Sequence, residues 1–306
     1  MEDNRFEFVK VDETESEHIA APEYSYWKSV FKKFFASKTA VFMLIIVGAV
    51  FAFSIFHPLF SGYDHMSVTN INDKSTHFLR PSLEHLFGTD DVGRDVFDML
   101  WAGARTSLFI AFMSTFITTV IGVIVGMFWG FSKRMDTIMI EIYNIISNIP
   151  FLLIVMIMAF ILGAGVWQLI FALSITGWLG IAYFIRVQVM IIRDREYNLA
   201  SKTLGSSLPK IIIHNIFPYL ISVLVTSISR DVPSYISYEV FLGYVGVGLT
   251  QEIPSLGRVV EEHSKYMQSA PYLFIIPVAI TALISVSLYI VGQTLADASD
   301  PRNHMI

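Results

Sequence analysis

The 306-residue chain contains no cysteine. Disulfides, zinc thiolates and a Cys nucleophile are therefore excluded, and the redox compartment stays open. Charge is scarce as well. Asp, Glu, Lys and Arg make up 15% of the residues, against about 25% in soluble domains. No G-x-x-x-x-G-K-[ST] phosphate loop occurs, so the chain carries no nucleotide site of that kind. No repeat of fixed period and no low-complexity linker divides it. Residues 1–25 are acidic and polar, without the apolar core and small-residue cleavage site of a signal peptide. They read as a tail.

What the chain does have is apolar surface: 54% hydrophobic residues, 14% aromatic, and a mean hydropathy of +0.58. That places it among polytopic membrane proteins. A helical span needs about 20 mostly apolar residues. Six segments qualify, at 39–60, 104–131, 138–163, 166–190, 217–240 and 271–296. The fold class is all-α integral membrane. Arg230 and Asp231 interrupt the fifth segment, and Pro233 comes two residues later.

The net charge of −5 says little; the placement of Lys and Arg decides orientation. Lys28, Lys32, Lys33 and Lys38 precede the first span, Lys133 and Arg134 come after the second, and Arg193, Arg195, Lys202 and Lys210 after the fourth. The alternate side has longer loops with fewer basic residues. Six crossings then put both termini and the polar island after the fourth span in the cytoplasm. Two further segments are expected to lie along the membrane. In "YSYWKSVFKKFF" the residues Tyr26, Trp27, Val30, Phe31, Phe34 and Phe35 fall at helical spacing, an interfacial pattern. Residues 237–263 start apolar but are too short and Gly-rich to span, which fits a partly re-entrant external loop.

The island, "REYNLASKTLGSSLPKIIIHNIFP" at 195–218, carries its own helix punctuation. Tyr197, Ala200, Ser201 and Leu204 recur at i, i+3, i+4 and i+7, one face of a short helix. Gly205 stops it, since Gly adopts a left-handed cap at little cost. Ser206 or Ser207 can cap a second helix, with Pro209 in its first turn. A knob of this kind suits insertion into a partner's cleft; an ordinary surface helix is the alternative.

Ala200, Gly205 and Pro218 are spaced as in the cytoplasmic Glu-Ala-Ala loop of the permease subunits of ATP-binding-cassette importers, which the island resembles. Leu199 and Ser201 depart from that loop's Glu and second Ala, and Asn215 and Phe217 from its Ile and Leu. "GTDDVGRD" at 88–95 is similar to the block before the second span of the C-type permeases of the oligopeptide, dipeptide and nickel branch. "FLGYVGVG…PSLGRVV" and "DASDPR" also resemble that branch, with Leu256 where Trp is usual. The acidic tail and aromatic-rich helix resemble its oligopeptide members most.

The resemblance implies the type I importer permease fold and a subunit that hydrolyses nothing itself. It implies a second homologous permease, two cassette ATPases that bind the ATP and Mg, and an extracytoplasmic substrate-binding lipoprotein. The complex would import oligopeptides across a bacterial cytoplasmic membrane; no cofactor, metal or nucleic acid is expected on this chain. The implied layout is a cytoplasmic tail and interfacial helix at 1–38, a first span at 39–60 and an external loop at 61–103. A transmembrane core at 104–296 comes next, holding a coupling loop at 193–216 and an external loop at 241–270, and a cytoplasmic C-terminus closes the chain at 297–306. Residues 196–209 would be the coupling element, with Tyr197, Leu199, Ala200, Ser201, Leu204, Gly205 and Pro218 as its key positions.

Other candidates stand on chemistry alone. Ionisable residues inside a span are costly and usually face a cavity or partner. Arg230 and Asp231, the only deep ionisable pair expected, could meet a peptide's carboxylate and ammonium, or could pair structurally with a neighbouring subunit. Thr89, Asp90, Gly93, Arg94 and Asp95 read as a turn ordering the external approach to the second span, or as a dock for a binding protein. His57, His65, His77 and His85 match no compact ligand set, which counts against nickel import, the alternative within the family. A stand-alone secondary transporter lacks an inverted repeat. A membrane hydrolase lacks a Ser-His or His-Glu constellation.

Overall fold

The computed structural model describes residues 25–63 and 73–299. The expectations for the acidic tail, His65 and the end of the "DASDPR" stretch lie outside the described residues. Apart from one Thr89–Asp95 bridge, the regular structure described is helical. The helices are α1 (Tyr26–Ala36), α2 (Lys38–Phe60), α3 (Val96–Phe131), α4 (Lys133–Ser147), α5 (Phe151–Leu162) and α6 (Val166–Arg193). They continue with α7 (Glu196–Thr203), α8 (Leu208–Ile211), a π-turn (Ile212–Ile216), α9 (Phe217–Tyr244), α10 (Leu256–Ser264) and α11 (Pro271–Ser299).

Helices α2, α3, α6 and α11 are each long and apolar enough to cross a membrane, and two bent pairs raise the count to as many as six. The segment expected as a continuous third span at 138–163 is one of these pairs. It breaks into α4 and α5, which turn by 82°. Pro150 lacks a backbone N–H and disfavours helix at Ile149, so the break falls at the residues between them. The other pair bends by 58° between Leu208–Ile221 and Val223–Tyr244. The second span starts at Val96, not 104, because Asp95 caps it by accepting from the Phe97 N–H at 2.7 Å. The loop expected through 103 is therefore shorter.

Helix α3 is the central post, packing chiefly on α6 and also on α2, α9 and α10. Gly122, Gly126 and Gly130 recur every four residues on α3, and a Cβ at any of them would lie within 2.7 Å of an α6 atom. The two backbones approach closely along this stripe, the small-residue packing typical of membrane helices. Helix α11 lies against α9 and α2. On α1, Tyr26, Val30 and Phe34 turn inward onto Val291, Leu295 and Ala298 of α11. Trp27, Phe31 and Phe35 stay exposed, so the expected single apolar face is divided in two. Between α9 and α10 the loop expected to be re-entrant contains the last turn of α9, a Gly-rich turn, and α10 packed on α3 and α9.

Candidate functional site

The island forms as a helix, a corner and a second helix. Gly205 takes φ +82°. Its N–H donates to Lys202 O at 3.1 Å, and the Ser206 N–H donates to Ser201 O at 3.0 Å. Those two bonds make a Schellman ending, so the glycine is needed for its left-handed backbone and not for space; nothing lies within 4 Å of where its Cβ would be. Ser207 sits at the N-cap of α8 without a side-chain cap bond, and Pro209 occupies its first turn.

Asn198 holds the island to the bundle. It is 2% exposed. Its Nδ2 donates to Ile192 O at 2.9 Å, and its Oδ1 accepts from Asn215 Nδ2 at 2.9 Å. Asn215 also donates to Ser201 Oγ at 3.3 Å. Asn215 can reach because it lies in the π-turn, a local widening of the helix often found at functional sites. Beneath these bonds Ile192, Ile211, Ile212, Ile216 and Leu220 form a continuous apolar floor with α6. Tyr197, Leu199, Ala200, Leu204, Gly205 and Pro218 point away from that floor and are exposed, Leu204 by 86%. Ser201, expected on the outward face, is half-buried against Asn215. Sequence reasoning missed Asn198 and Asn215 as anchors; two asparagines flanking a Gly corner, 17 apart, were the available signal.

A second feature lies midway along α9. A cavity of about 360 Å³ is lined by Arg230, Asp231, Ser227, Ser234, Tyr235 and Tyr238, with Phe151 and residues of α6 opposite. Arg230 Nε stands 3.8 Å from Asp231 Oδ1. The arginine side chain is 67% exposed and the aspartate 18%, so the pair presents its cation outward and its carboxylate into the wall. It is not the only deep ionisable feature. Glu239, two turns nearer α10, is fully buried, and Ser107 Oγ of α3 donates to it at 2.5 Å. The same hydroxyl accepts from the Leu256 N–H at the start of α10.

The Gly-Arg-Asp block closes the far end of the molecule. Asp90 is buried and accepts from the N–H groups of Val92 and Arg94 and from Arg94 Nε at 2.7 Å. Arg94 reaches on to Glu262 of α10 at 3.1 Å. Burial opposes the arginine's charge, but Asp90 and Glu262 outweigh it and hold its pKa above the usual value. Asp95 meets His85 Nδ1 at 2.7 Å, and Gly93 supplies a left-handed turn at φ +79°. His57 pairs with Asp98 at 3.4 Å. Among the described residues no three His, Cys, Asp or Glu side chains converge as a metal site. The block is thus tied by specific bonds as an ordered turn, with a charged cleft of about 490 Å³ beside it.

The comparisons with known proteins agree with this architecture. The model of the family described as binding-protein-dependent transport system inner membrane component matches residues 119–304. A second, the N-terminal TM domain of oligopeptide transport permease C, matches residues 25–81. The chain is 51% identical to the oligopeptide transport system permease protein AmiD of Streptococcus pneumoniae, covering 99% of each chain. It is 34% identical to the oligopeptide transport system permease protein OppC of Bacillus subtilis, covering 98% of this chain and 97% of the relative. In structure it resembles a chain of the MetNI methionine ABC transporter in an inward-facing conformation, with a TM-score of 0.55 and 21% identity over 66% of this chain and 96% of that one. That likeness shows the fold of a type I importer permease. This chain is a multi-pass membrane protein and belongs to the family of binding-protein-dependent transport system inner membrane components.

Proposed function

We propose that this chain is one of two permease subunits of an ATP-binding-cassette complex that imports oligopeptides. The full-length similarity to two oligopeptide permeases carries the substrate class. In this reading the α7 end faces the cytoplasm, both termini lie there, and α10 lies outside. Two cassette ATPases bind ATP and Mg, and an extracytoplasmic lipoprotein delivers the peptide. The chain's own work is gating.

The observation that supports a coupling role is the Schellman-locked corner. Helix α7 and its C-terminal capping residue present exposed Tyr197, Leu199 and Leu204 beyond a buried Asn198 anchor. A cleft on an ATPase would bury those apolar side chains, at about 25 cal/mol per Å². Movement of α7 passes through the Asn198–Asn215 bond and the π-turn into α9, which carries Arg230 and Asp231. Peptide termini offer a carboxylate and an ammonium, and this pair offers their complements. Asp90, Gly93, Arg94 and Asp95 order the external approach.

The test is purification of the chain from its native membrane in mild detergent, followed by identification of the co-purifying subunits and of the lipoprotein's ligand. Two cassette ATPases, a second permease and a peptide-loaded lipoprotein are expected. A chain that transports alone overturns the reading, and a metal-loaded lipoprotein overturns the substrate.

A further inference from the structure

Helices α2, α3 and α6 do not close against one another at the end where α10 lies. A groove of about 1050 Å³ remains between them, and the 252–254 turn forms its rim. Its floor is apolar and aromatic. Phe51 meets Phe112 with ring centroids 5.5 Å apart, and Phe109 meets Trp167 edge-on at 5.7 Å. The α2 wall belongs to a helix that leaves most of its apolar surface bare, including Phe53, Ile55, Phe56 and Leu59. The groove therefore lies beside a surface that only acyl chains or another apolar helix can solvate.

Its rim is charged. Arg105 is exposed, lines the groove, and makes no ion pair or side-chain hydrogen bond among the described residues. Glu252 faces the same space. Arg105, Phe109 and Phe112 succeed one another at i, i+4 and i+7, so one face of α3 runs from a cation to two rings. Their depth is set by the helix rise. Arg105 stands about 39 Å along α3 from Phe131, and Phe112 about 28 Å, at 1.5 Å per residue. Taking Phe131, just before Lys133 and Arg134, as the opposite boundary of a hydrocarbon core of about 30 Å, Phe112 falls at the top of the acyl region and Arg105 among the headgroups. Trp167 begins α6 beside them, where interfacial tryptophans concentrate.

We propose that this groove is a phospholipid site. The phosphate lies against Arg105, a headgroup bearing an ammonium or hydroxyl donor reaches Glu252, and the acyl chains run down Phe109, Phe112 and Phe51. A cation and a carboxylate above an aromatic floor complement a dipolar head above a tail. A neighbouring subunit's apolar helix would leave both charges without partners. The assignment depends on the depth of the groove, and not on which side of the membrane it faces or on the coupling role of α7.

The test places benzoylphenylalanine at Phe112 in the assembled complex, irradiates native membranes, and measures the intact mass of this subunit. The expected product carries the mass of one phospholipid. Its yield falls about tenfold in Arg105→Gln, as loss of a charge-assisted hydrogen bond requires, and is kept in Arg105→Lys. The same label at Phe56, on the open face of α2, should capture lipid irrespective of Arg105. Equal lipid capture at Phe112 with and without Arg105 means bulk lipid only and overturns the site. So does a cross-link to another subunit or to a transported peptide, or an empty Phe112 beside a labelled Phe56.

Discussion

The short helices at the two ends of the molecule are attached by different chemistry. At the α7 end ion pairing ties long helices, Arg186 of α6 to Asp136 of α4. Helix α7 itself is held by neutral groups: Asn198, Asn215 and Ser201 bond one another above an isoleucine floor. At the α10 end the attachment rests on charge and backbone contact. Asp90, Arg94 and Glu262 form a chain, and Glu239 reaches α10 through Ser107. Glycines remove the remaining space there: a Cβ on Gly257 would lie 2.8 Å from Val240 O, and one on Gly103 would lie 2.8 Å from the Ser255 carbonyl carbon. A helix joined by backbone contact and ion pairs moves with its neighbours or not at all. A helix held through one buried amide and a π-turn has fewer constraints. The difference fits an α10 end built as a fixed cap and, under the proposed coupling role, an α7 end with the freedom to move.

The largest effect tests the movable part. Gly205→Val places a β-branched residue at φ +82°, where a left-handed backbone costs about 1–2 kcal/mol before side-chain crowding. The corner should open, and ATP-driven uptake by reconstituted complex should fall to background while membrane insertion is unchanged. Normal uptake would show that α7 transmits nothing. Next comes the cap. Glu239→Leu removes the acceptor of Ser107 inside a fully buried junction and should cost about 2 kcal/mol, whereas Glu239→Gln retains an acceptor oxygen and should cost less. Thermal unfolding of the purified complex measures both. Equal losses would make the site one of volume and not of hydrogen bonding.

How much of this was legible in the sequence differs between the ends. The α7 island was readable because its signals are local: a Gly at a helix end and a Pro in a first turn leave a mark whatever surrounds them. The long apolar runs were readable for the same reason, except where Pro150 broke one of them. Glu239 was not, since a lone Glu after "SYISY" looks like a polar residue near a span end. Its burial comes from Ser107, 132 positions earlier, and Leu256, in a later helix. The Gly122–Gly126–Gly130 stripe was visible in the sequence, but its partner helix was not. Pairing across the fold is the part that single-sequence periodicity does not encode.

Salt separates the two chemistries more finely. The Arg94–Glu262 pair is partly exposed at 18% and 19%, so its contribution is about 1 kcal/mol and screened. Raising ionic strength from low to about 1 M, where the Debye length is about 3 Å, should speed amide exchange in α10. Exchange in α7, held by neutral bonds, should not change. Equal acceleration at both ends would erase the distinction.

The smallest effect is a proton at His263. This α10 histidine is 1% exposed, and its Nδ1 donates to Val259 O at 2.7 Å. Burial lowers its pKa; the Val259 bond and the Asp90 and Glu262 carboxylates pull the other way, and Arg94 adds to the lowering. The folded state therefore prefers neutral imidazole. Its share of stability is complete above the unfolded value of about 6.5 and is lost as pH falls through the lower folded value. As pH falls below about 6.5, the protection of amides over 256–264, taken relative to their intrinsic exchange rates, should decrease, and His263→Gln should flatten that decrease. The 196–203 stretch contains no histidine, and its exchange should track only the intrinsic pH dependence of the amides. A matched change at both ends would mean the proton acts on the whole bundle. A change confined to α10 would make the cap, fixed by charge at neutral pH, the end that acid loosens first.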